Sequence, residues 1–279
     1  MTLLAIVRLT LRELASKATM YILAGISTVV LIGTAFAVSA SQTDAGSTVA
    51  LFGQPLMEVP IPQDALVHFI RQMQAGLAGG LFTGVMLFGV FATAGIVPDM
   101  LERGTVDLYL SKPIARWELL LGKYLGGVAA IGVNILYFLL GAWLVFGIRT
   151  GIWDPTLMLT ALIMIFMFAC LFGLVTFFGI WTRNTATTIV LTFLFLFIIE
   201  GPLLAHRETT IFRLSENTIY RTVIDGFYYM FPQITGMQSG AAAHLSGQTE
   251  IDWKPFLQAF LSGAAFFLGG AVLFKKRDF

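Results

Sequence analysis

The chain has 279 residues, of which 57% are hydrophobic and only 12% charged, about half the charged share of an ordinary soluble domain. Its 17 basic and 16 acidic residues leave a net charge of +1, which excludes the strong basic footprint of a nucleic-acid binder. A single cysteine, Cys170, excludes an internal disulfide framework and a cysteine-rich metal site. What remains is an all-α, polytopic membrane protein, read as one transmembrane domain over residues 1–279.

Residues 1–17 predict an interfacial helix, with Leu3, Leu4, Val7, Leu11 and Leu14 on one face and Arg8, Arg12 and Lys17 away from it. Ile6 and Leu9 fall off that face. A bilayer core needs about 20 consecutive apolar residues, and the first such run covers residues 18–40. Ala35-Phe36-Ala37 resembles a signal-peptide cleavage site, but the apolar run is longer than the usual ~7–15 residues. Residues 41–76 form a first outside segment, turn-like from Ser41 to Ser47. After Pro60 and Pro62 an amphipathic helix, with Leu66, Phe69, Ile70 and Met73 on one face, runs into a second span at 77–97.

Further spans are expected at residues 124–148, 156–181, 187–204 and 256–274, which makes six. Residues 205–255 form the larger outside segment. There Ser215 is a candidate cap for a helix from Glu216. Phe227, Tyr228, Tyr229 and Phe231 resemble interfacial anchors, and Gly236, Gly240 and Gly247 mark a loop. Gly76, Gly80 and Gly84, and likewise Gly122, Gly126 and Ala130, recur every four residues as helix-packing positions. With six spans, eleven of the 17 basic residues fall on the side of the termini. Both termini are therefore expected to be cytoplasmic in a cytoplasmic membrane.

Candidate chemistry is sparse. The sequence has neither a phosphate-cradling G-x-x-x-x-G-K-[ST] motif nor H-E-x-x-H. His68, His206 and His244 are far apart and read as outside loop residues, with no metal site expected. Met164 and Met167 read as helix packing. Asn134 is a strongly polar residue well inside a span, suited to an interhelical hydrogen bond or a polar pathway. Glu200 precedes Gly201-Pro202 near the outer interface. It is either an interfacial carboxylate paired with Arg207 or a substrate or proton group.

The segment 98–123, PDMLERGTVDLYLSKPIARWELLLGK, is the most informative. Pro98 marks a boundary, and Asp99 suits a helix N-terminus. Gly104 allows a turn, and Thr105 can cap the helix after it. Val106, Leu108 and Leu110 present apolar surface beside Asp107 and Lys112. Pro113 ends the unit, and Arg116 and Trp117 anchor the next span. The pattern predicts a short amphipathic helix across the cytoplasmic face that needs headgroups or a protein as partner.

Glu102-Arg103-Gly104-Thr105, Leu110-Ser111-Lys112-Pro113, Arg116 and Gly122-Lys123 together resemble the signature of type-2 ABC exporter permeases. The likeness is to the branch that contains the copper-maturation permease for nitrous oxide reductase. The Phe274–Phe279 ending and the order of elements resemble that family as well. The resemblance implies an exporter permease with no nucleotide site of its own, whose cofactors, ATP and Mg, belong to a partner. It implies a homodimer served by two copies of a separate cytoplasmic ABC ATPase. The segment between spans 2 and 3 would hold the coupling helix, built or braced by Glu102, Gly104, Thr105, Leu110, Pro113 and Arg116. The residues alone also fit a membrane anchor for an extracytoplasmic protein, or a secondary transporter coupled to protons through Glu200.

Overall fold

The computed structural model describes residues 3–43, 46–52, 54–55, 63–102, 115–204, 212–214, 217–246 and 252–276. Helix α1 (Leu3–Ala15) turns at Ser16-Lys17 into α2 (Ala18–Ala37). Strands β1 (Val38–Thr43), β2 (Gly46–Leu51) and β3 (Gln54–Pro55) come next, then α3 (Gln63–Thr93) and the short α4 (Ile96–Met100). After these stand α5 (Arg116–Thr150), α6 (Thr156–Thr182) and α7 (Thr185–Leu194), which passes into a π-helical stretch over Phe195–Leu204. A single turn α8 (Phe212–Leu214), α9 (Thr218–Met230), α10 (Ile234–Leu245) and α11 (Lys254–Lys276) complete the described chain.

Among the described residues, five helical stretches are long and apolar enough to cross a membrane: Ala18–Ala37, Ala65–Met100, Arg116–Thr150, Thr156–Thr182 and Lys254–Lys276. The chain is thus a multi-pass membrane protein. The run expected as the fifth span is a shorter apolar helix, Thr185–Glu200, that widens to π geometry from Phe195. Pro202 lies in that stretch and supplies no N–H to an α-helical ladder.

The described chain is almost entirely helical, as expected, with one small sheet added. The first outside segment begins as an antiparallel meander in the order β1-β2-β3, with Val38 opposite Leu51 and Thr43 opposite Gly46. Apolar and small polar residues alternate over Val38–Ser41, and Ser41–Thr43, which read as a turn, continue the hairpin arm. Its base is fixed by Val38, which is buried with Leu66, Ile70 and Phe146 from α3 and α5. This sheet marks one end of the bundle, the hairpin end; α1 and the last turn of α11 mark the other, the terminal end.

Helix α6 is the centre. Apolar all round, it packs against α3, α5, α7, α10 and α11, as a helix without a polar face must. Its seam with α11 is a backbone contact. A Cβ on Gly173 would fall on the Gly263 carbonyl oxygen, and one on Gly263 would lie 2.8 Å from the Cys170 carbonyl oxygen. Gly236 and Gly240, expected in a loop, lie instead within α10, which buries Ile234, Met237, Ala241 and Leu245 against the bundle. Those four recur at helical spacing, and the small residues between them let α10 sit against α3 and α6. The N-terminus of α9 is capped by Asn217, whose side chain accepts from Ile219 N at 2.9 Å; Ser215 lies outside the described residues.

Candidate functional site

Among the described residues, the terminal end holds the Lys123–Glu13 and Lys17–Asp99 ion pairs. Helix α1 is seated on α5 rather than lying free. A Cβ on Gly122 would come within 2.6 Å of Ile6 Cγ2, and one on Gly126 within 2.6 Å of Thr10 Cβ. The two glycines therefore form a saddle for α1, and not a contact between two spans. The buried face of α1 is Ile6, Thr10 and Leu14, while Leu3 and Leu4 are exposed. Ile6, which falls off the expected face, belongs to the real one. Thr10 fits there because its hydroxyl donates to Ile6 O at 3.0 Å, which satisfies it without a partner from α5. Lys123, one of the eleven basic residues assigned to the side of the termini, is only 2% exposed, and its Nζ donates to Glu13 Oε2 at 2.6 Å.

Asp99 is the second node. Its Oδ2 accepts from Lys17 Nζ at 3.1 Å, and its Oδ1 accepts from Thr185 Oγ1 at 3.4 Å. One carboxylate thus joins the α1–α2 corner, α4 and the start of α7. Val97 and Pro98, just before it, pack against Gly179 at the end of α6. The turn from α6 to α7 is held in turn by Asn184, whose side chain accepts from Thr187 N at 3.0 Å. Arg116, the first residue of α5, donates from Nη1 to Lys275 O at 3.3 Å. Its guanidinium thereby meets the C-terminal carbonyls of α11, where a cation is favoured. Of the residues expected in the docking element, Glu102 is an exposed bend after α4. Gly104, Thr105, Leu110 and Pro113, with the amphipathic helix expected around them, lie outside the described residues.

Inside the bundle, Ser27 Oγ donates to Asn134 Oδ1 at 3.2 Å, which joins α2 to α5. At the hairpin end, Glu200 is only 6% exposed. Its Oε2 accepts from Thr235 Oγ1 at 2.6 Å and its Oε1 from Thr235 N. The carboxylate therefore closes the N-terminus of α10, where the helix dipole favours it. Arg207, the expected partner, lies outside the described residues. Asp154, in the α5–α6 connection, accepts from Arg71 Nε at 2.6 Å and from Thr156 N at 3.0 Å. Burial works against its charge, but the bonds from Thr156 and the Arg71 guanidinium outweigh that and hold its pKa below the usual carboxylate value. His68 is exposed on α3, His244 is half-buried in α10, and His206 lies outside the described residues. Among the described residues no group of three or more His, Cys, Asp or Glu is placed to hold a metal. Met164 and Met167 are buried in the core.

Sequence reasoning missed the Glu13–Lys123 and Lys17–Asp99 pairs and the Thr235 cap partner. The only signal for the first was the Gly122/Gly126 spacing, which announces a close neighbour without saying which. A comparison with curated proteins gave no match. A family model described as ABC-2 family transporter protein matches residues 20–279, nearly the whole chain. A bundle of long apolar helices under that family description places the chain in the ABC-2 transporter family, as a membrane permease subunit of an ABC transporter.

Proposed function

We propose that the chain is the permease of an ATP-driven exporter, that it works as a homodimer, and that the coupling loop within 98–123 docks on a separate cytoplasmic ABC ATPase, two copies per assembly. ATP and Mg belong to that partner. The likeness of the loop to copper-maturation permeases supplies the export direction and not the cargo. The observation that carries the docking reading is how the two flanks of the segment are tied down. Before it, Asp99 is bonded to Lys17 and Thr185; after it, Arg116 is bonded to Lys275 O. A displacement of the loop would therefore reach the α1–α2 corner, α7 and α11 at once, which is what conversion of ATPase closure into helix movement requires. The same ties support six crossings. The start of α2 and the end of α11 share one end of the bundle, which fits an even number of crossings with Thr185–Leu204 as the sixth.

The test is to copurify the chain with the ABC ATPase encoded beside it. Leu110→Glu is expected to lower the copurified ATPase at least about tenfold, the loss of one well-packed apolar anchor. Asp99→Asn is expected to keep the association and to lose the nucleotide-dependent change in labelling of a cysteine placed at Trp253. Full ATPase recovery with Leu110→Glu would overturn the docking reading.

A further inference from the structure

A groove of about 450 Å³ lies between α1, α2 and α5, within the size range of small-molecule sites. Leu11, Met20 and Val133 supply apolar walls, and Thr28, Asn134 and Tyr137 supply polar atoms. Asn134 is eleven residues beyond Lys123 on α5, which is about 16 Å along a helix and close to half of a ~30 Å hydrocarbon core. The polar atoms are not consumed by one another. Thr28 Oγ1 donates to Ala24 O at 2.7 Å, so the 2.9 Å contact between Thr28 and Tyr137 is a bond donated by the Tyr137 hydroxyl. Tyr137 Oη keeps its lone pairs and is 44% exposed. The Asn134 oxygen accepts from Ser27, which leaves its amide N–H groups without a partner among the described residues. Free amide donors at mid-bilayer depth are costly unless something accepts from them. No Asp, Glu, Lys, Arg or His lines the groove, which disfavours a charged head.

We infer that this groove binds a neutral, single-chain amphiphile with a hydroxyl head, its chain lying along the apolar walls between α2 and α5. A hydroxyl is the simplest group that both accepts from the Asn134 amide and donates to Tyr137 Oη. The inference rests on the helices alone and not on the ATPase reading, so the two fail separately.

The probe is a long-chain alkan-1-ol carrying a diazirine, photolysed with the full chain in lipid nanodiscs and mapped by peptide mass spectrometry. Labelling is expected to concentrate on α2 and α5. Hexadecan-1-ol should compete for it about tenfold better than hexadecane, the worth of one hydrogen bond at the upper end of the usual range. Asn134→Leu should lower labelling by a similar factor and Tyr137→Phe should lower it as well, since each removes one of the two hydrogen bonds to the head. If Asn134→Leu misfolds, as judged by its melting temperature, Ser27→Ala replaces it and should shift competition by freeing the amide oxygen. Even labelling of all lipid-facing helices, or equal competition by hexadecane, would overturn the inference. So would disulfide cross-linking of Val133→Cys to a second copy that shuts the probe out.

Discussion

Lys123 carries a charge in a place where almost no water reaches it. At 2% exposure, with Glu13 Oε2 at 2.6 Å, the ammonium depends on a carboxylate that α1 brings to it. Removing one member of such a pair costs about 3–5 kcal/mol, because the remaining charge keeps its desolvation penalty. Glu13→Gln should therefore lower the unfolding midpoint strongly, while the double variant Glu13→Gln, Lys123→Met should recover much of the loss. Chemical denaturation of the purified chain measures both, and an additive double variant would mean that the pair is not coupled. At the hairpin end, Asp154 makes a pH prediction. Its folded pKa lies below the unfolded value of ~3.9, so its ionised form stabilises the fold at every pH above about 4. That contribution fades as pH falls from about 4 through the folded value. Asp154→Asn should melt below the native chain at neutral pH, and the gap should narrow in acid. A gap that stays constant from pH 7 to pH 3 would mean that Arg71 and Thr156 contribute through shape and not through charge.

The helices differ in what their glycines do, and the difference was not legible in the spacing. Gly76, Gly80 and Gly84 on α3 have nothing within 4 Å of where a Cβ would stand, whereas Gly173 and Gly263 meet backbone across the α6–α11 seam. Gly173→Ala should destabilise by about 1–3 kcal/mol, because the obstacle is a carbonyl that no rotamer change can move. Gly80→Ala in the same chain should gain roughly 0.5–1 kcal/mol from helix propensity. Melting temperatures of the two variants should thus move in opposite directions, and a fall for Gly80→Ala would reveal a neighbour that the single chain lacks. The long spans were readable because some 20 apolar residues announce a crossing whatever surrounds them. The face of α1 was not, because a threonine that bonds its own helix can be buried where periodicity seeks a leucine. The hairpin arm was hidden by its serines and threonine, which suit a turn as well as a short strand. Helix α10 was hidden by glycines that serve packing and were read as punctuation.

At the scale of the molecule, the ties at the terminal end constrain topology more tightly than hydropathy does. Hydropathy finds five long stretches and one short one, and an odd count would put the two termini on opposite sides. The Lys17–Asp99 and Arg116–Lys275 contacts join the start of α2 to the end of α4, and the start of α5 to the end of α11. The saddle of α1 on Gly122 and Gly126 links those two groups. All four helix ends therefore lie at one end of the bundle, and on the proposed six-span topology they would face one compartment while the hairpin, the α5–α6 connection and the start of α11 face the other. Single cysteines in a Cys170→Ser background separate the alternatives, since Cys170 is buried and its replacement leaves the surface unchanged. A membrane-impermeant maleimide added to intact cells should label cysteines at Gln54 and Trp253, both exposed. It should reach cysteines at Ser16 and Lys275 only after the membrane is opened. Labelling of Ser16 and Lys275 from opposite sides would break the even count, and with it the sixth crossing by the π-helical stretch.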